Sequence, residues 1–251
     1  MSPMKLQSPN GHLVFKPSNL CQDTFAAFGD VIENPAPALV PSPHLKELPI
    51  GSVLGNQGSA LVYGDVAKFT NLYTSAPSQV QSRAAMRMFV CAPRSLLPAH
   101  DSSSEGTLQV KILERHPYTS QTFIPLGLSA AEANEPRFLV IVAPTLPPSS
   151  EDESLPVPSG ENLPGRGLPD LTNLRAFVAK GSQAVTYGPG TWHAPMIVVG
   201  KKPISFVVVQ FLNGVGFEDC QEAEWEAANG MDVTVTVPNV LQSQGLWTSK
   251  L

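Results

Sequence analysis

The most informative part of the sequence is Leu108-Gln109-Val110-Lys111-Ile112-Leu113-Glu114-Arg115-His116-Pro117-Tyr118-Thr119-Ser120-Gln121. Its apolar residues Leu108, Val110 and Ile112 alternate with polar ones, which is the period of a β-strand with one buried face. The same alternation places Glu114 and His116 on that buried face. A carboxylate and an imidazole are costly to bury unless they pair with each other, with a substrate or with a metal. The stretch therefore predicts a strand that carries a polar site into the core of a β protein.

A second polar cluster follows another predicted strand and reads Tyr187-Gly188-Pro189-Gly190-Thr191-Trp192-His193-Ala194-Pro195. Its Gly-Pro-Gly turn delivers Trp192 and His193 just after the strand ends. His116 and His193 are thus the two histidines that lie at strand ends beside turn residues. The other histidines fall in a tail or in loops, where a solvated side chain is expected: His12, His44 and His100. We therefore expect one site built from the two segments.

The rest of the chain is predicted to be mainly β, because short strand-like runs are separated by repeated Gly and Pro turn signals. In the run that starts at Arg83, one face carries Met86, Met88 and Val90, and the other carries Arg87, Phe89 and Cys91. Further runs are Gln121–Leu126, Arg137–Ala143, Leu174–Ala179, Ala184–Tyr187, Met196–Val199, Ile204–Leu212 and Val233–Val237. Many short strands and few helical patterns indicate an antiparallel barrel or sandwich.

We expect a single domain over residues 1–251, with a flexible loop at 144–170 between two strands. That loop is rich in Pro, Gly and Ser and has too few apolar residues to order itself by burial. One helix is predicted from Ser18 or Asn19 to Gly29, and a short acidic helix is predicted at Ala223–Ala228.

The composition excludes several classes of function. The chain has 16 Lys and Arg against 21 Asp and Glu, a net charge of −5, so we expect no nucleic-acid partner. Its longest apolar runs are far shorter than the ~20 residues of a membrane-spanning helix. The first residues show no basic cluster leading into an apolar run, which favours the cytoplasm. The three cysteines have no paired spacing, so we expect reduced thiols and assign them no chemistry.

The two polar segments resemble the paired motifs of the cupin β-barrel superfamily. The first motif there is His-x-His followed by Glu four or five residues on, and the second is Pro-x-Gly-x-x-His. Here the first becomes Glu114-x-His116-x-x-x-x-Gln121, and the end of the second is retained at Gly190 and His193. Glu and Gln replace two expected metal ligands, which weakens the donor set for a transition metal. The resemblance implies a cupin-like antiparallel β-barrel or jelly roll with a few short helices.

A more specific resemblance covers most of the chain and is to the ureidoglycolate lyase family, formerly called ureidoglycolate hydrolase. It is carried, in this order, by Phe28-Gly29-Asp30-Val31-Ile32-Glu33, Asn56-x-Gly58, Pro93-Arg94, Glu114-Arg115-His116-Pro117-x-x-x-Gln121-x-Phe123-Ile124-Pro125, Leu174-Arg175-Ala176-Phe177 and Trp192-His193-x-Pro195. The resemblance implies a homodimer that takes part in allantoin catabolism and cleaves (S)-ureidoglycolate to glyoxylate and urea.

This chain departs from bacterial members of that family at Val62 and Gly64, where Arg and His often stand. A basic group for the substrate carboxylate is therefore missing at that place. Either a different cation replaces it, such as Arg87, Arg94 or Lys202, or a basic group at that position is not essential. For dimerisation, Val233–Val237 is predicted to be an edge strand that pairs with a second copy or is covered by the C-terminal segment.

The reaction implied by the resemblance is an elimination, in which a base removes the hydroxyl proton and an acid protonates the departing nitrogen. We expect the base to be His116 or His193, with Glu114 orienting the imidazole. The candidate substrate contacts are Gln121, Tyr118 and Asn56 as hydrogen-bond donors, and Trp192, which either closes the barrel mouth or stacks on the substrate.

The elimination requires no redox cofactor. If a divalent metal ion is present, we expect His116, Gln121 and His193 to hold it, and the ion would then polarise the hydroxyl. The alternative function is a non-catalytic or metal-dependent cupin that binds a small molecule. Both readings predict a small organic acid as the ligand.

Overall fold

The computed structural model describes residues 3–6, 11–99, 102–226 and 232–238, so His100 and the last residues of the chain lie outside the described part. The described residues are mainly β, as predicted, and contain three short α-helices. These are α1 (Gln22–Phe25), α2 (Ala130–Ala133) and α3 (Gly216–Asp219), and 3-10 turns lie at Asn56–Gly58, Tyr73–Ser75 and Leu171–Asn173. None of the helices in the described ranges has the length and apolar character of a membrane-spanning segment.

The strands within these ranges form four sheets. Sheet A contains, in spatial order, β1 (Met4–Lys5), β18 (Gln221–Glu224), β10 (Ile112–Arg115), β15 (Trp192–His193), β12 (Pro136–Ala143), β13 (Arg175–Lys180) and β3 (Ser18–Asn19), and β16 (Ile197–Val198) also pairs with β12. Sheet B contains β2 (Leu13–Phe15), β19 (Val233–Pro238), β9 (Ser102–Val110) and β8 (Leu97–Ala99). Sheet C contains β4 (Gly29–Ile32), β14 (Ala184–Tyr187), β11 (Gln121–Leu126), β17 (Ile204–Leu212) and β7 (Arg83–Cys91). Sheet D is the hairpin of β5 (Ser52–Gly55) and β6 (Ala60–Tyr63).

Sheet A is the middle layer between two apolar cores, as β12 shows, because successive side chains of a strand point to opposite faces. Leu139, Ile141 and Ala143 enter the first core, which sheet B covers with the buried valines of β19. Phe138, Val140 and Val142 enter the second core, which sheet C covers with Phe123, Val185, Phe206 and Val208. The candidate site lies at the end of this second core, between sheets A and C.

The predicted strand at 108–116 is two strands, because it breaks at the exposed Lys111. β9 belongs to sheet B and β10 to sheet A, and the alternation changes phase between them. Val110 and Leu113 both pack in the first core. Glu114 and His116 therefore lie on the face opposite to Leu113. The prediction that they share a face with Val110 was wrong. Lys111 lies outside both strands, and this one extra residue reverses which positions of the following strand face the first core.

Two predicted helices are replaced by strands over part of their length. Helix α1 begins only at Gln22, because Ser18 and Asn19 pair in parallel with Phe177 and Val178 of β13. The predicted helix at 223–228 is contradicted at its start by β18, which pairs with β1 and β10. Its last two positions lie outside the described residues. In both places pairing with a neighbouring strand outweighs the local helix signal.

Strand β19 is not an edge strand, which contradicts the expectation for Val233–Val237. It pairs with β9 on one side and with β2 on the other. Its valines Val233, Val235 and Val237 are fully buried in the first core. The segment therefore offers no free edge for a second copy of the chain.

Candidate active site

The structure brings the three predicted catalytic side chains together at the junction of β10 and β15. Glu114 lies directly opposite His193 in this antiparallel pair. The Glu114 Oε1 and His193 Nε2 atoms are 3.6 Å apart, and the ring centroids of His116 and His193 are 5.6 Å apart. Two segments separated by more than seventy residues thus form one cluster between sheets A and C.

His116 presents an unpaired basic nitrogen to this cluster. Its Nδ1 lies 2.6 Å from the backbone oxygen of Asp219, and because a carbonyl can only accept, Nδ1 carries the proton. The Nε2 atom is buried and has no hydrogen-bond partner among the described residues. Burial lowers the pKa of His116, which favours the neutral ring. A neutral ring with a free Nε2 lone pair can accept a proton or bind a cation.

His193 is held in the opposite way, with oxygens around both ring nitrogens. Its Nδ1 donates to the backbone oxygen of Thr191 at 2.9 Å. Its Nε2 lies 3.2 Å from Gln121 Oε1 and 3.6 Å from Glu114 Oε1. The amide of Gln121 is oriented by its Nε2, which donates to Gln210 Oε1 at 2.6 Å. Both ring nitrogens of His193 therefore face hydrogen-bond acceptors, unlike those of His116.

Glu114 is ionised in this arrangement. Burial raises its pKa, but the hydrogen bond and the electrostatic attraction of His193, with smaller contributions from His116 and Cys220, outweigh burial and lower the pKa to about 2. The other carboxylate oxygen accepts a weak hydrogen bond from Cys220 Sγ at 3.8 Å. The site therefore holds one buried negative charge next to two imidazoles.

Tyr187 completes one wall of the cluster and was not predicted from the sequence. Its ring stacks on His193 with centroids 3.9 Å apart and an interplanar angle of 12°. The hydroxyl is buried without a hydrogen-bond partner in the described structure. Burial and the charge of Glu114 raise the pKa of Tyr187, so the hydroxyl keeps its proton. The signal in the sequence was its place at the end of a buried run just before the Gly-Pro-Gly turn.

Two of the predicted substrate contacts lie elsewhere. Trp192 faces the first core, on the opposite side of sheet A from His193, and its Nε1 donates to the backbone oxygen of Gly167. Its predicted place at the barrel mouth was therefore wrong. Asn56 is exposed at the tip of the β5–β6 hairpin, and no hydrogen bond joins it to the cluster within the described ranges.

Tyr118 is buried next to the cluster but packs in a different group. Its ring lies 5.6 Å from that of Tyr73, with Ala76 alongside. Burial and the charge of Glu218 raise its pKa to about 12. Of the four predicted substrate contacts, Gln121 is the one that makes a direct contact with one of the two candidate histidines, His193.

The three candidate cations for the substrate carboxylate differ in position. Lys202 is exposed and pairs with Glu132, and Arg94 is exposed after the end of β7. Arg87 is exposed too, but it lies on β7 between Ala85, which is buried, and Phe89, which packs against Phe123 of the second core. Ala85 lies opposite Gln210 in the ladder. Arg87 is thus the candidate whose strand face leads to the site.

The segment predicted as a flexible loop is anchored on the other face of the same strands. The fully buried Arg115 donates to the backbone oxygens of residues 165, 166 and 167 and to Gln221 Oε1. Its guanidinium lies 4.4 Å from the ring centroid of Trp192. A Cβ on Gly167 would lie 1.7 Å from the backbone oxygen of Leu146, so the chain packs closely there. These contacts fix one part of the segment; the mobility of the rest stays a prediction.

The fold and site define a β-rich protein with a buried carboxylate, two imidazoles in different environments and an amide, a set suited to proton transfer. The family model described as ureidoglycolate lyase matches residues 12–232, and the chain belongs to this family. It is 32% identical over 208 residues to the ureidoglycolate lyase of Schizosaccharomyces pombe, covering 83% of this chain and 90% of that one. It is 32% identical over 186 residues to that of Saccharomyces cerevisiae, covering 73% and 77%. It is 30% identical over 190 residues to that of Burkholderia mallei, covering 76% and 78%.

Proposed function

We propose that this chain is a ureidoglycolate lyase that eliminates urea from (S)-ureidoglycolate and leaves glyoxylate. Family membership and the names of the relatives support this activity. The observation that carries it is the contrast between the two histidines. His116 has a free buried Nε2, whereas His193 Nε2 lies between a carboxylate and an amide oxygen. An elimination needs one base and one acid, and this pair supplies both.

In the proposed reaction His116 is the base and His193 is the acid. The substrate carbon bears a hydroxyl, a carboxylate and a ureido nitrogen. His116 Nε2 takes the hydroxyl proton, the oxygen forms the carbonyl of glyoxylate, and the C–N bond breaks. The His193 Nε2 proton goes to the departing nitrogen, which gives urea. Glu114 lies 3.6 Å from His193 Nε2 and orients the ring for this transfer.

We assign the substrate carboxylate to Arg87. Its strand face leads toward Gln210, next to Gln121 and the histidines. Replacing Arg87 with Met is expected to raise KM by about 10- to 100-fold, because a charged hydrogen bond contributes about 1.5–3 kcal/mol. Arg94→Met and Lys202→Met are the matched controls and are expected to leave KM unchanged. An unchanged KM in Arg87→Met, or a raised KM in a control, would contradict the assignment.

A metal-assisted reaction and simple binding are the two competing readings. A divalent ion on His116, Gln121 and His193 would supply a Lewis acid for the hydroxyl. Both histidines use Nδ1 for a backbone oxygen, so both present Nε2 to the cluster, which fits such a ligand set. A binding module would hold an organic acid on the same polar groups without converting it.

The test is release of urea and glyoxylate from racemic ureidoglycolate by the purified chain, before and after chelation. We expect turnover that survives chelation, since the proposed acid and base are side chains. Turnover that is lost on chelation and restored by one metal would favour the metal-assisted reaction. No turnover with any metal, together with retained glyoxylate binding, would favour the binding module and contradict the lyase.

We also propose a homodimer, formed through the outer face of sheet C. On this face Met86, Met88 and Val90 of β7 are 75%, 62% and 67% exposed. Ile124 and Leu126 of nearby β11 are 40% and 49% exposed, and β17 joins the two strands. Contiguous exposed apolar patches are typical of interaction surfaces.

The oligomeric state is tested by light scattering after gel filtration. Wild type is expected to have the mass of two chains, and Met88→Glu the mass of one. Val53→Glu is the matched control, because Val53 is 61% exposed on the separate sheet D. A wild-type monomer, or a Met88→Glu dimer, would contradict the proposed interface.

We place the enzyme in allantoin catabolism and in the cytoplasm, as the sequence predicts. Cells that lack the chain are expected to accumulate ureidoglycolate when allantoin is their nitrogen source. Fractionation of cells that express the tagged full chain tests the location. Recovery in a membrane or organelle fraction would contradict the cytoplasmic prediction.

A further inference from the structure

Cys220 lies against the candidate active site, although it is outside both sequence motifs. It follows helix α3 directly, and its neighbour Asp219 holds the His116 ring through the backbone oxygen. Its Sγ is 3.8 Å from Glu114 Oε2. In the described part of the chain, one group of three potential metal ligands is close enough to share an ion: Glu114, His116 and Cys220, whose donor atoms all lie within 4.8 Å of one another.

A second observation points to a ligand at this place. His116 Nε2 is buried and unpaired within the described structure, although buried polar atoms are nearly always hydrogen-bonded. A cation between the three side chains would give this nitrogen a partner. It would also offset the buried negative charge of Glu114.

The donor set selects the kind of ion. A thiolate, an imidazole and a carboxylate suit borderline and soft divalent ions, whereas magnesium and calcium prefer oxygens alone. Zinc binds sulfur at about 2.3 Å and nitrogen or oxygen at about 2.0–2.2 Å, so donors around one tetrahedral ion lie about 3.3–3.7 Å apart. The Sγ to Oε2 distance of 3.8 Å already approaches this value. Small side-chain movements would close the set.

We propose that Glu114, His116 and Cys220 form a binding site for a thiophilic divalent cation of the zinc class, and that its occupation inhibits the enzyme. The thiol releases its proton to solvent when the ion binds. The ion takes the Nε2 lone pair of His116, which is then unable to accept the substrate proton. The inhibition rests on the proposed lyase reaction, whereas the binding does not.

The binding test uses Cd²⁺ as the probe, titrated into the purified full chain. We expect one Cd²⁺ per chain and a thiolate-to-metal charge-transfer absorption. Cys220→Ala is expected to lose the absorption and to weaken binding by at least about tenfold, since loss of even an outer-shell partner costs that much. Cys21→Ala and Cys91→Ala are the matched controls and are expected to keep both. Equal binding by Cys220→Ala, or loss of the signal in a control, would overturn the site.

Cys220→Ser guards against a folding failure of the alanine variant, because it keeps the side-chain size and removes the thiolate. The thermal transition of each variant is measured beside the titration. A folded serine variant that retains the charge-transfer signal would overturn the proposal; a folded one that lacks it supports the proposal.

The inhibition test measures turnover with and without Zn²⁺, each variant relative to its own metal-free rate. Zn²⁺ is expected to inhibit wild type and both control variants, and a chelator is expected to reverse this. The Cys220 variants are expected to be far less sensitive. Undiminished turnover of zinc-loaded wild type would overturn the inhibitory role. If wild type has no turnover at all, the lyase proposal fails, while the Cd²⁺ titration still decides the site.

Discussion

The two faces of sheet A differ in their hydrogen bonding where β10 pairs with β15. On one face Arg115 and Trp192 pack together, and every nitrogen of their side chains donates to an oxygen of the segment at 165–167 or of Gln221. On the other face His116 Nε2 has no hydrogen-bond partner among the described residues. The fully bonded pair therefore holds the segment at 165–167 in place, whereas the open nitrogen is the group that the proposed reaction uses.

The largest expected effect is a loss of turnover, and it comes from His116→Asn on the site face of sheet A. The asparagine amide can still donate to the Asp219 backbone oxygen, while the Nε2 lone pair is removed. Loss of the general base is expected to lower kcat by about 10²–10⁴-fold. The free energy of unfolding should change little. Turnover is measured by urea release, with His44→Asn, an exposed histidine, as the control. Full turnover in folded His116→Asn would remove His116 from the reaction.

The next largest expected effect is a loss of stability, and it comes from Arg115→Met on the opposite face of sheet A. The substitution keeps an apolar stem on Trp192 but leaves three oxygens without their Arg115 donor, namely those of residues 165 and 166 and of Gln221, while the oxygen of residue 167 keeps only Trp192 Nε1. Breaking such a buried charged network is expected to lower the free energy of unfolding by about 3–5 kcal/mol. Urea denaturation measures it. Arg94→Met, at an exposed position, is expected to change it by at most about 0.5 kcal/mol. Equal stability of the two variants would show that the segment is held by other contacts.

The sequence pointed to the cluster through residue type rather than through period. Glu114 and His116 were singled out because they follow the alternating residues 108–112, and His193 because it follows a Gly-Pro-Gly turn, and the ladder places Glu114 opposite His193. The side of sheet A on which Trp192 lies could not be predicted. Trp192 and His193 are consecutive strand residues and so point to opposite faces, but both faces of sheet A are covered, and the sequence alone does not show which side chain enters which core. The same uncertainty hid the phase change at Lys111.

The remaining site residues depend on contacts between distant segments. Cys220 and Asp219 lie about a hundred positions after Glu114 in the sequence, and they reach the site because β18 pairs with β10, Glu222 lying opposite Glu114. The sequence around them carries an acidic pattern that predicted a helix. The pairing of β18 with β10 outweighs the local helix propensity of this segment. The same pairing brings Cys220 and Asp219 to the site.

The smallest expected effect comes from Tyr187→Phe. This variant tests whether the unpaired hydroxyl of Tyr187 binds the substrate. Its hydroxyl has no partner among the described residues, so its removal costs no hydrogen bond in the free protein. The stability should stay the same or rise by up to about 1 kcal/mol. The ring stays stacked on His193, and a lost hydrogen bond to substrate is expected to lower kcat about tenfold, or about 1.4 kcal/mol.

Tyr118→Phe gives the matched comparison, because the sequence favoured Tyr118 and the structure favours Tyr187. Tyr118 packs with Tyr73 in a separate cluster, so its variant is expected to keep most of the turnover. A loss confined to Tyr187→Phe, without a loss of stability, assigns the unsatisfied hydroxyl to the reaction. A loss confined to Tyr118→Phe would reverse the assignment, and the unpaired hydroxyl of Tyr187 would then be a cost of stacking on His193.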